Sequence, residues 1–186
     1  EYEALKKKAM EVGKTTIFTS EEAAAGMEKF ALAGFKPKEI ISAIPPIFDL
    51  ATASGEDFIM ISDMISDNMT AFNIGIDDVG HASDILANTM SRSNTNIQML
   101  GEAFKYVSSS ASNLNIDLST TSAAIGLMGD QAIKSGQAGR DLKQAFSKIA
   151  DAGVQKKLER LGVSVKDSKG EFIGLVDFVR QLEKVT

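Results

Sequence analysis

Apolar residues recur along most of the chain at alternating steps of three and four, the period of a helix lying on a core. In "TNIQMLGEAFKYVSSSASNL" the positions Ile97, Leu100, Phe104, Val107, Ala111 and Leu114 form one stripe, with Thr95 or Asn96 placed to cap it. Phe58, Ile61, Met64, Ile65, Met69 and Phe72 form a second stripe, and Ile76, Val79, Ser83, Leu86 and Met90 a third. "FTSEEAA" reads as a helix start: Thr19 and Glu22 have capping-box spacing, with Phe18 and Ala23 at the staple positions. Pro37 suits a first helical turn. The pair Pro45-Pro46 lacks two backbone donors, which predicts a kink or break between Ile44 and Ile47.

Glycines at 34, 55, 75, 136 and 162 punctuate the helices as turns or C-caps. A weak internal repeat of about forty residues lays Pro37 on Ile76 and Ile76 on Leu118, each unit being two helices joined by a turn such as "FNIGI" or "LNIDL". Near the end, Val163–Val165, a turn at Lys169-Gly170 and Phe172-Ile173 predict a small two-stranded hairpin. A last helix follows, bearing Leu175, Phe178, Val179, Leu182 and Val185. The expected fold is therefore mainly α: stacked helical hairpins with a possible small hairpin near residues 163–173. The expected division is a charged N-terminal helix over 1–17 continuing from an upstream segment, a helical core over 18–152, and a helix–hairpin–helix extension over 153–186.

Composition supports packed helices. Aromatic residues make up 6% of the 186 positions, while Met, Ala, Leu and Ile are plentiful. With no cysteine and a single histidine, His81, the chain has no disulfide, no thiol nucleophile and no site needing two imidazoles. No window is long and apolar enough for a membrane span. The net charge of −5 is unevenly spread: between Lys38 and Arg92 there is no Lys or Arg, whereas basic residues outnumber acidic ones from Lys134 onward. That layout argues against a nucleic-acid groove, which needs a basic stripe. Beginning inside a charged helical pattern, the chain reads as a piece of something longer.

Three stretches invite a chemical reading. "KSGQAGRDLKQAF" carries Gly136 and Gly139 between basic residues, like a phosphate loop. A phosphate loop, however, follows a strand and ends in Gly-Lys-Ser/Thr, and here a helical pattern precedes and Asp141 follows Arg140. The stretch reads instead as a helix–helix joint, with Ser135 or Gly136 capping the helix of Leu142, Phe146 and Ile149. His81 lies one turn from Asp77, Asp78 and Asp84, which also suit a helix start. Asp63 and Asp67 sit one turn apart but opposite the apolar stripe. No catalytic, cofactor-binding or metal-binding residue is assigned. The structural joints are Gly34, Pro45, Pro46, Gly136 and Gly139; no interaction surface is identified. The nearly uncharged run from Tyr106 to Gly129, rich in Ser, Ala, Thr and Asn, permits close helix approach, within the fold or against another copy.

Taken together, "FTSEEAAAGMEKFALAGFKPKEIISAIPPIFDLATASGED", "ISDMISDNMTAFNIGIDDVGHASDILANTMSRSNTNIQMLGEAFKYV", "AAIGLMGDQAIKSGQAGRDLKQAFSKIA" and "LGVSVKDSKGEFIGLVDFVRQLEKV" resemble, in that order, the core region of phage tail tape measure proteins, also called phage minor tail proteins. The resemblance implies a long helical protein inside the growing tail tube, whose length sets tail length and which leaves the tube when DNA is ejected. It implies other copies of the chain, the tail tube protein, tail assembly chaperones and tail-tip or baseplate proteins as partners. It implies no small-molecule substrate or cofactor, DNA only indirectly, and a place in the virion after synthesis in the bacterial cytoplasm. Against a simple ruler stand Pro45-Pro46, the many glycines and the expected hairpin, which favour a folded module within the long protein. The remaining alternatives are a helical scaffold or interaction module in another setting, or part of a cell-wall-cleaving tail protein.

Overall fold

The computed structural model describes residues 1–185. The described residues form helices α1 (Tyr2–Thr15), α2 (Ser20–Leu32), α3 (Pro37–Ser54), α4 (Phe58–Ala71), α5 (Val79–Arg92), α6 (Ile97–Ser112), α7 (Leu118–Asp130), α8 (Ser135–Ala150), α9 (Ala152–Arg160) and α10 (Leu175–Glu183). A short 3₁₀ turn, Ile76–Asp78, precedes α5. The fold is mainly α. The chain divides into two compact units, Glu1–Arg92 and Ser93–Thr186.

Most helix starts are written in the sequence. Thr19 accepts from the Glu22 N–H at 3.1 Å while the Glu22 carboxylate accepts from the Thr19 N–H at 2.7 Å, the reciprocal capping box that the spacing predicts. Asp57, Asn96, Asp117 and Asp151 cap α4, α6, α7 and α9 through side-chain oxygens. Pro37 is the first residue of α3.

Helix stops follow one recurring device. At Gly34, Asn73, Asn115, Ala132 and Gly162 the backbone turns left-handed, with φ between 52° and 93°. In each case that residue's N–H reaches back three residues and the next N–H reaches back five: Gly34 to Ala31 and Phe35 to Phe30, for example, or Asn115 to Ser112 and Ile116 to Ala111. These are Schellman stops, and the residue after each turn is apolar, returning to the core side: Phe35, Ile74, Ile116, Ile133 and Val163. The "FNI" and "LNI" phrases of the internal repeat are two of these stops.

In the first unit, α2 packs most extensively on α4, α1 on α2, and α3 on α5. Phe48 and Phe58 stack with centroids 4.1 Å apart, and Phe18, just before the Thr19 cap, closes the cluster at 5.3 and 5.6 Å. In the second unit α6 and α8 form the dominant pair. Apart from α1 on α2, these principal pairs join helices two apart in the chain, while the turns "FNIGI" and "LNIDL" join helices that touch less.

The two units share a register. A shift that carries the cap Thr19 onto Asn96 also carries the buried positions Ala23, Gly26, Met27 and Phe30 of α2 onto Leu100, Ala103, Phe104 and Val107 of α6. The same shift carries Ile61, Ser62 and Met69 of α4 onto Ala138, Gly139 and Phe146 of α8, buried in both.

Three local expectations change. α3 runs from Pro37 to Ser54 through both prolines, so no break occurs between Ile44 and Ile47. Ile47, Phe48, Leu50 and Ala51 continue the buried face of Ile40, Ala43 and Ile44 beyond the prolines. The burial of Ile47, Phe48 and Leu50, about 2 kcal/mol for each side chain, offsets a cost of roughly 3 kcal/mol for each of the two interior prolines. The hairpin near 163–173 is reduced to one antiparallel bridge, Lys166 to Phe172, around the Gly170 turn, with no strand among the described residues. Val163 and Val165 are nonetheless buried, and Phe172 meets Phe178 of α10 at 5.9 Å. On α10 the buried side is narrower than the periodic pattern predicts: Phe178 is buried, whereas Val179 and Val185, beyond the helix end, are exposed.

Candidate functional site

The stretch that most resembles a ligand cradle is the start of α8. It is preceded by a helix, α7, and not by a strand. Lys134 occupies the cap position without a side-chain cap bond, and Ser135 holds a left-handed φ of 56°. Gly136 lies in the first turn, and Gly139 lies inside the helix where it crosses α6. A Cβ on Gly139 would stand 2.8 Å from both the Cα and the carbonyl carbon of Ala103 and still closer to its oxygen, so only glycine lets the two backbones approach this far. A Cβ on Gly136 would meet the ends of Arg140 and Tyr106 at 3.0 Å. Arg140 lies 5.0 Å from the centroid of the Tyr106 ring, a cation–π contact spanning α8 and α6. Gly136, Gly139 and Arg140 therefore lie where α8 meets α6. The equivalent crossing in the first unit places Gly26 of α2 against Phe58 and Ser62 of α4, where an added Cβ would lie 2.7 Å from the Ser62 hydroxyl.

The other sequence candidates separate. His81 is exposed on α5, as are Asp77, Asp78 and Asp84, and no group of three or more His, Asp or Glu among the described residues is placed to hold a metal. Asp63 forms a 3.1 Å ion pair with Lys29, tying α4 to α2 at the surface. Asp67 is exposed one turn further on. Gly34 is the left-handed residue of the α2 stop, and Pro45 and Pro46 lie within α3. The weakly charged run from Tyr106 to Gly129 packs inside its own unit: Ser108, Ala111, Thr121, Ser122, Ile125 and Gly129 are buried. Gly129 abuts the Asn94 carbonyl, whose own N–H donates to Asp130 at 2.6 Å.

Two features had no sequence signal. A cavity of about 230 Å³ is lined by residues including Asn113, Asn115, Gln155, Lys166 and Glu171, with Asn115 donating to Glu171 across it at 3.1 Å. The Tyr106–Arg140 contact joins residues far apart in the chain. Among titratable groups, Glu22 is held below its ordinary value of 4.5 by the Thr19 backbone N–H and hydroxyl. What this geometry offers is close-packed helix crossings and capped helix ends. No helix among the described residues is long and apolar enough to cross a membrane.

Comparison with known proteins gives one direction. The family model described as phage-related minor tail protein matches residues 6–186. The chain is 37% identical over 184 residues to a tape measure protein of Pneumococcus phage Dp-1, an alignment covering 98% of the chain. It spans 16% of the length of that relative. No solved structure matches the chain.

Proposed function

The chain belongs to the phage-related minor tail protein family, and from that premise we propose that it is a folded structural module of a tape measure protein. The observation that carries this reading is the 37% identity to a phage tape measure protein across nearly the whole chain. The module scaffolds assembly of the tail tube, belongs to the protein that sets tail length, and moves out with that protein when DNA is ejected. Its partners are other copies of the chain, the tail tube protein, tail assembly chaperones and tail-tip or baseplate proteins, and its place is the tail interior of the virion. The role is architectural and uses no cofactor or catalytic residue.

The fold shapes the proposal. The longest helix among the described residues has 18 residues, and the helices pack into two units. At 1.5 Å per residue the longest helix spans about 27 Å, so the ruler function belongs to other parts of the long protein. The present part is a module carried by that ruler. Mass spectrometry of purified, nuclease-treated virions tests the assignment: peptides from this segment appear at a fixed ratio to the tube protein. Their absence from tails, with the segment found only in infected-cell lysate, overturns it.

A further inference from the structure

We propose that α5 is a detachable element of the first unit: it opens from α3 while α2, α3 and α4 stay packed, and so stores a length of chain ahead of Ser93. Three observations carry this, and none depends on the tail reading.

First, α5 itself brings few large apolar side chains to its interface with α3. Its buried side chains are Val79, Ala82, Ser83 and Leu86, whereas the α4 face buries Phe58, Ile61, Met64, Ile65 and Met69 together with smaller residues. A helix with so small a stripe opens at lower free energy than the core helices beneath it. Second, Ser83 is 4% exposed, and its hydroxyl oxygen is buried without a hydrogen-bond partner. A desolvated hydroxyl with no partner opposes closure of the interface, and water satisfies it once the helix lifts. Third, α5 lies over the weakest part of α3. Gly80 faces Pro46, where an added Cβ would stand 3.9 Å from the proline ring, in ordinary van der Waals contact. The two prolines have no N–H to give the carbonyls one turn back, at Ile41 and Ser42, so the surface under α5 lacks part of its helical ladder. The 3₁₀ turn that leads into α5 begins at Gly75 without a side-chain cap bond.

As a helix the 14 residues of α5 span about 21 Å, and fully extended they reach about 46 Å. Release therefore adds roughly 25 Å of chain length ahead of Ser93 and leaves the α2–α4 pair and the phenylalanine cluster intact. Such a segment absorbs extension before either core is lost.

Hydrogen exchange read by mass spectrometry on the 186-residue chain tests this, with Ser83→Ala and Gly80→Ala as variants. The expected result is α5 amides exchanging at least about tenfold faster than those of α2 and α4. Ser83→Ala removes the unpaired hydroxyl and Gly80→Ala raises helix propensity, so each slows α5 exchange about threefold to fivefold and leaves α2 and α4 unchanged. Equal protection of α5 and α4 overturns the proposal. So does parallel slowing of α2, α4 and α5 in the variants, which marks a single cooperative unit, or a Ser83→Ala chain whose α5 exchanges as fast as before.

Discussion

Gly139 and Gly136 lie one turn apart in α8 yet face different obstacles. An added methyl at Gly139 runs into the Ala103 backbone, which cannot move without displacing α6. Gly139→Ala is therefore expected to cost about 2 kcal/mol or more, as overpacking against backbone does, whereas Gly136→Ala meets only side-chain ends and costs less than about 1 kcal/mol. Urea unfolding of the two variants separates them, and equal losses would contradict the crossing geometry. Ala132 gives the opposite sign. It holds a φ of 65° at the stop of α7, strained for any residue with a Cβ, so Ala132→Gly should stabilise the chain by about 1 kcal/mol in the same assay. Glu22 contributes through protonation. Its folded value lies below its ordinary 4.5, so its stabilising contribution is complete above that pH and is lost as pH falls through the folded value. Glu22→Gln should flatten that part of the acid limb of a stability–pH profile.

At the scale of elements, Pro45 is the informative position. It is exposed within a continuous helix, so Pro45→Ala restores a donor without opening a cavity and should raise stability by about 1–3 kcal/mol in thermal or urea unfolding. Phe58 is the counterpart in the core: it is fully buried, stacked on Phe48 and pressed against Gly26, and Phe58→Ala should cost about 3–5 kcal/mol. Elements of this kind differ in how far local sequence betrays them. The caps Thr19 and Asn96 and the stripe from Ile97 to Ala111 were readable because capping and helical period are local properties. The continuity of α3 was not, since the burial of Ile47 and Phe48 that offsets the proline cost depends on helices elsewhere in the chain. The shortfall of the 163–173 hairpin has the same origin. Val163 and Val165 alternate like a strand, yet their burial and the Phe172–Phe178 contact hold the segment with a single bridge. The role of Gly139 was half-legible: a joint could be inferred, but the facing backbone of Ala103 could not.

For the whole molecule, the shift that superposes α2 and α4 on α6 and α8 gives each unit one tight crossing, Gly26 with Ser62 and Ala103 with Gly139. Small residues at those sites keep two helices that are not sequence neighbours in register, and Schellman stops set the turns between them. The most direct test is an in-frame deletion of this segment from the complete phage gene, followed by electron microscopy of the tails produced. A structural module of the tape measure protein predicts that tails are missing or altered in length. A full yield of tails at the wild-type length would contradict it.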